Sequence, residues 1–278
     1  MKSFLLKAIT AVLAVSFIAV SCKKEDDTPT TNPPADPYSH LYKIGTKAIT
    51  GKSMTVSLYM DEEPFMGYNH VYAVVVDDVT DEVIENATVQ FMPMMDMGAM
   101  QHSSPYENPT WNATDKAHKG TVTFIMPSVN GTWTVKVMAT NPSSSMSGDV
   151  TFDVNVIDKP ETRLFSFMDA SSNKKVFVAL TDPRDPVVGM NDYNVVIYEK
   201  QGMMDFPPMT GLKIEIDPEM PTMGHGSPNN VNPTDIGYGH YSGEVNFTMT
   251  GYWKVNMVIK DAQDQMMYDQ GYFDITFQ

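Results

Sequence analysis

The sequence predicts an all-β chain of two tandem immunoglobulin-like antiparallel sandwiches, preceded by a signal peptide and a disordered tether. Three observations carry this. Apolar residues recur with period two along the whole mature region, and no stripe of period 3.6 accompanies them. Gly, Pro and Asn clusters punctuate these runs every few residues, as short antiparallel strands require. The pattern also occurs twice in the same order.

The N-terminus comes first. Lys2 and Lys7 precede an apolar stretch from Ala8 to Val20, shorter than the roughly 20 residues a bilayer span needs, so residues 1–21 read as a signal peptide. It ends in Ala19-Val20-Ser21-Cys22, which resembles the lipobox of bacterial lipoproteins and makes Cys22 the expected lipidation site and membrane anchor. Lys23-Lys24-Glu25-Asp26-Asp27 resembles an export tag for the outer surface. Residues 22–42 are expected to be the lipidated N-terminus and a flexible tether, because Thr28 to Pro37 is too poor in apolar residues to bury a core. The expected location is the cell envelope, lipid-anchored to the outer membrane and facing outside the cytoplasm.

In the first sandwich, residues 43–158, the expected strands are Met54 to Met60, Val71 to Asp77, Ala87 to Met92, Thr121 to Met126, Thr132 to Ala139 and Asp149 to Val156. In the second, residues 161–278, they are Lys175 to Thr181, Asn194 to Glu199, Leu212 to Ile216, Glu244 to Met249, Tyr252 to Ile259 and Gln270 to Phe277. Sliding the chain against itself by 123 residues gives nine identities between positions 97 and 126, where chance gives about one or two. They include Met97 with Met220, Met100 with Met223, His102 with His225, Gly120 with Gly243 and Met126 with Met249. Trp133 and Trp253 are expected core aromatics.

Composition limits the function. Removing Lys2 and Lys7 leaves 17 basic and 34 acidic residues, a formal charge of −17 that repels nucleic acid. Acylation of Cys22 consumes the only thiol, so any metal site must use Met, His or carboxylate, and the chain holds 23 Met and 6 His. The repeated Met-x-x-Met-x-His pattern joins thioether to imidazole, the donors a soft cation such as copper(I) favours. The candidate ligands are Met97, Met100, His102, Met220, Met223 and His225, with Met95, Met126 and Met249 as additional ones. Met126 and Met249 either close the site or cap the core. The alternative for the whole cluster is packing or a Met-rich surface that docks a partner protein. Met203, Met204, Met209, Met266 and Met267 stay open between extra donors and packing. His40, His70, His118 and His240 are expected to be exposed loop residues. No Gly-x-Ser-x-Gly elbow, phosphate-binding glycine loop or His-Glu-x-x-His stretch is present, and no catalysis is expected.

Several blocks occur in both halves: Gly67-Tyr-Asn69 and Gly189-Met-Asn191, His102-Ser-Ser-Pro105 and His225-Gly-Ser-Pro228, and Gly120 to Trp133 with Gly243 to Trp253. With these blocks each half, over residues 50–157 and 170–278, resembles the YtkA-like domain, related to the FixH-like proteins of cytochrome oxidase assembly. The resemblance implies an immunoglobulin-like sandwich and copper handling outside the cytoplasm. It thereby implicates the same six Met and His residues, and a copper efflux or chaperone protein as partner.

Overall fold

A computed structural model describes residues 36–278. The signal peptide, Cys22 and most of the tether lie outside the described residues. The first copy contains β1 Tyr42–Ala48, β2 Met54–Met60, β3 Gly67–Asp77, β4 Glu82–Val83, β5 Thr88–Asp96, β6 Gln101–His102, β7 Tyr106–Asn112, β8 Ala117–Phe124, β9 Thr132–Asn141 and β10 Met146–Val154. The second contains β11 Leu164–Asp169, β12 Lys174–Asp182, β13 Gly189–Glu199, β14 Lys213–Met220, β15 His225–Gly226, β16 Val231–Gly237, β17 His240–Phe247, β18 Gly251–Lys260 and β19 Met266–Phe277. No α-helix occurs among the described residues, and none of their helical segments is long and apolar enough to cross a membrane.

The two copies share one strand topology. The larger sheet runs β1-β2-β3-β8-β7 in the first, with β4 added to β3, and β11-β12-β13-β17-β16 in the second. The smaller runs β10-β9-β5-β6 and, in mirror listing, β15-β14-β18-β19. All strand pairs within these sheets are antiparallel. The fold is all-β, with two antiparallel sheets in each copy, as the period-two pattern predicts. β9 shows the cause: Trp133, Val135, Val137 and Ala139 face the core while Thr132, Thr134, Lys136, Met138 and Thr140 face outward. β18 repeats this with Trp253, Val255, Met257 and Ile259.

β1, β4, β6, β7, β11, β15 and β16 escaped the sequence pattern, and for β7 and β16 the reason is definable. β7 and β16 carry Pro109 and Pro233, and proline is tolerated on their outer side because both lie at sheet edges. Each approaches its neighbour closely at a glycine. A Cβ on Gly120 would lie 2.5 Å from the Glu107 carbonyl oxygen, and one on Gly243 would lie 2.4 Å from that of Val231. The shared Gly-x-Asn blocks have an equally structural role. The Asn69 amide accepts from Phe65 N–H and donates to the Phe65 and Gly67 carbonyls, and Asn191 repeats these bonds at Val187 and Gly189.

Folded chain begins within the segment assigned to the tether: Tyr38 is buried against Tyr59, with ring centroids 5.2 Å apart, on the outer face of the first copy's larger sheet. The corresponding face of the second copy is covered by the first copy itself. Along β12, Val176, Val178 and Leu180 enter the second core while Phe177 and Ala179 join the first. β13 divides likewise, Tyr193, Val195 and Ile197 against Val196 and Tyr198. Tyr38 to Gln278 is therefore one compact unit.

Polar contacts cross the same interface. Arg184 Nη1 lies 2.6 Å from Asp61, which also binds His70 Nδ1 at 2.8 Å and the Tyr72 hydroxyl at 2.6 Å. Burial pushes the Asp61 carboxyl up, but the hydrogen bonds from His70 and Tyr72 and the charges of His70 and Arg184 outweigh it and bring it down to about 2. His240 Nε2 pairs with Glu107 at 2.6 Å. Desolvation of Glu107 is likewise outweighed, by the His240 hydrogen bond and charge, and its carboxyl titrates below its ordinary range. These contacts correct the expectation of exposed loop histidines. His70 and His240 are half-buried hydrogen-bond partners of Asp61 and Glu107, His118 is 1% exposed beside Trp111, and His40 alone is exposed.

Candidate metal centre

Each candidate histidine sits on a two-residue strand at the end of a hairpin. In the first copy β5 turns through Met97 to Met100 into β6, closed by Met97 N–H donating to the Met100 carbonyl at 3.0 Å, with Gly98 at φ 80°. In the second, β14 turns through 221–224 into β15, closed by Met223 and Gly224 N–H donating to the Met220 carbonyl at 3.0 and 2.9 Å.

Counted between the facing Met and His, the second hairpin is two residues shorter, and this changes which methionine faces which histidine. Met95 is the cross-strand partner of His102, and Met220 is the partner of His225. Directly opposed residues project on one face with Cβ atoms about 5 Å apart. Met95 also pairs with Trp133, and Met220, one step beyond the Glu219–Lys254 pair, faces Trp253. Both methyl groups reach the same place: a Cβ on Gly131 or on Gly251 would lie 2.9 Å from Met95 Cε or Met220 Cε. The structural equivalent of Met220 is therefore Met95, not Met97. The gapless offset of 123 concealed this, whereas the proline pair Pro93 and Pro218 stands at the register of 125 that the strands follow.

The nine candidates thus divide. Met95 and Met220 are buried in the two cores. Met97, Met100 and Met223 are 38, 52 and 58% exposed, on or beside the hairpin turns, and are not brought to the buried Met and His side chains by strand pairing. Met126 is half-buried against the first core and Met249 is 37% exposed. Their backbones serve the tryptophans, since Trp133 Nε1 donates to the Met126 carbonyl at 2.8 Å and Trp253 Nε1 to that of Met249 at 3.0 Å.

The imidazoles are held alike. His102 Nδ1 donates to the Ser103 carbonyl at 2.7 Å, and His225 Nδ1 to that of Gly226 at 2.9 Å, which leaves Nε2 as the nitrogen with a free lone pair. Each ring stands edge-on to a tryptophan: His102 to Trp133 at 5.5 Å and 87°, His225 to Trp253 at 5.7 Å and 79°. His102 is only 3% exposed, and its Nε2 has no hydrogen-bond partner. A buried acceptor left unmatched costs about 1–3 kcal/mol. An imidazole fixed through Nδ1 by a backbone carbonyl, with Nε2 presented, is the arrangement in which histidine serves as a metal ligand. One thioether and one such imidazole per copy fit a soft cation. Among the described residues, no group of three or more His, Cys, Asp or Glu side chains is placed to hold a metal.

Residues 170–258 match the YtkA-like family model. The YtkA-like match covers about a third of the chain, from the β11–β12 turn to near the end of β18, and so contains Met220, His225 and Trp253. No curated protein matches the chain. Among solved structures it is similar to the Escherichia coli adhesin FdeC at 17% identity, with 84% of this chain and 66% of that chain covered and a TM-score of 0.26. It is also similar to a conserved domain protein from Bacillus anthracis at 11% identity, with 88% of this chain and 94% of that chain covered and a TM-score of 0.33. The matched range leaves out β11 and β19, end strands of the second copy's two sheets.

Proposed function

We propose that this chain is an envelope lipoprotein, anchored through acylated Cys22 to the outer membrane, that binds Cu(I) without catalysing a reaction on it. Its role is copper buffering, transfer to an efflux or chaperone protein, or resistance. The observation that supports this reading is the unpartnered, buried Nε2 of His102 beside Met95 and Trp133, and the recurrence of the same trio as Met220, His225 and Trp253. Methionine stays available as a donor where cysteine would form disulfides. The two copies of one domain are read as tandem YtkA-like domains.

Titration of the mature lipidated chain in detergent with Cu(I), against a chromophoric Cu(I) chelator, tests this. Two equivalents are expected. Met95→Leu with Met220→Leu removes both thioethers at nearly constant volume, a change that cores tolerate at under about 1.5 kcal/mol. Cu(I) affinity should fall about a hundredfold or more, about 2.8 kcal/mol per site. Unchanged affinity in a folded double variant excludes these sites.

The exposed thioethers of Met97, Met100 and Met223 favour a second reading, in which the hairpins dock a partner protein of the envelope. That association would persist in the presence of a Cu(I) chelator.

A further inference from the structure

We infer that the two Met/His sites are unequal: the second copy's 201–206 turn closes the first site, while the second site stays open and is the one through which Cu(I) exchanges. This rests on the Cu(I) reading above. The two sites share their donors, their Nδ1 hydrogen bond and their tryptophan, yet their surroundings differ. His102 is 3% exposed, and Ser103 and Ser104 are 1% exposed each. In the second copy His225 is half-buried and Gly226 is exposed.

The cause is a contact between the copies. Ser103 N–H donates to the Met203 carbonyl at 2.8 Å, and the carbonyl of the same Ser103 is the group that fixes His102 Nδ1. Ser103 Oγ meanwhile donates to the Pro93 carbonyl at 2.8 Å, tying the segment back to β5. The turn is therefore bonded to the residue that orients the ligand nitrogen. Its own shape is set by Gln201 and Gly202 N–H donating to the Asp205 carbonyl at 3.0 and 3.2 Å. It is pinned by Phe206, which is 9% exposed, joins the first copy's core and lies 6.1 Å from the Phe177 ring. Among the described residues, no first-copy backbone group makes a hydrogen bond to Gly226, the counterpart of Ser103.

Entry to the first site then requires the turn to lift, a local opening whose cost is set by the Phe206 anchor and the Ser103–Met203 bond. The turn carries Met203 and Met204, 37 and 52% exposed, so thioethers stand on the element that must move. Met203 and Met204 thereby acquire a place that the sequence left open: donors on the closing turn, outside the buried pair.

Stopped-flow loading of the full mature chain from a Cu(I)–bicinchoninate complex tests this. Two phases of about equal amplitude are expected, one fast and one slow. His225→Asn should abolish the fast phase and His102→Asn the slow one, since asparagine can keep the donor to the backbone carbonyl while removing Nε2. Phe206→Ala should speed the slow phase about tenfold or more, with the fast phase and the stoichiometry unchanged. Phe206→Leu, a milder truncation that keeps the anchor apolar, should speed it less, and serves if the alanine variant does not fold. Two equivalents entering at one rate, or a slow phase indifferent to both Phe206 variants, would overturn the gating while leaving the Cu(I) reading intact. No Cu(I) uptake at all overturns both.

Discussion

Replacing Asp61 by Asn should destabilise the folded unit at neutral pH and cease to do so in acid. Asp61 stands where the two copies meet, accepting from His70 and Tyr72 of its own copy and pairing with Arg184 of the other. Its carboxyl titrates at about 2 in the folded chain against an ordinary 3.8, a difference equivalent to about 2 kcal/mol. The side chain keeps 28% of its surface exposed, and screening by solvent brings the expected contribution to about 1–2 kcal/mol. The sign follows from linkage. A depressed folded value means that the unfolded chain takes up the proton first as pH falls, so the stabilisation is complete above about pH 5, declines from about pH 4 and is lost near pH 2. Urea unfolding of wild type and Asp61→Asn should differ by about 1–2 kcal/mol at pH 7 and converge by about pH 2. A cycle with Arg184→Gln isolates the part that crosses the interface. An unvarying difference between pH 7 and pH 2 would refute the reasoning, because it would place the effect in packing rather than in the charge.

Gly120→Ala and Gly243→Ala should each cost about 1–3 kcal/mol in thermal or denaturant unfolding, because the new methyl would meet a backbone carbonyl that a neighbouring strand cannot withdraw. Asn69→Ala should cost more than Asn191→Ala, about 2–4 against about 1–2 kcal/mol by the same measurement. Both lose three hydrogen bonds, but the bonds of Asn69 to Phe65 are buried while those of Asn191 to Val187 are exposed.

The strands of the smaller sheets were legible in the sequence because only one of their faces is buried, so Trp133 to Ala139 and Trp253 to Ile259 alternate cleanly. The positions of β12 and β13 are legible in the sequence, but the partner that covers their second face is not. Val176-Phe-Val-Ala-Leu180 and Val195-Val-Ile197 run continuously apolar, which is what burial on both faces requires, and the second covering layer is the first copy. β7 and β16 escaped because an edge strand with proline lacks the alternating signal. Of the candidate site, the recurrence of His102 and His225 is legible in the repeat, while the equivalence of Met95 and Met220 is not. A fixed offset cannot accommodate hairpins of different length, and only the strand register shows that Met95 answers Met220.

The same comparison explains how one duplicated motif can acquire two environments. The larger sheet of each copy has an outer face that must be covered. Tyr38 and Leu41 pack over it in the first copy, and the first copy packs over it in the second. Only the latter arrangement joins the two copies, and it places the β13–β14 connection, with Phe206 as its anchor, against the first copy. That connection then meets Ser103, next to β6, whereas among the described residues no first-copy backbone group bonds Gly226 in β15. The contrast between His102 and His225 therefore needs no difference in their hairpins' donors. It follows from the contact between Ser103 and the second copy's turn, and a variant that loosens the interface should change the surroundings of His102 while leaving those of His225 as they are.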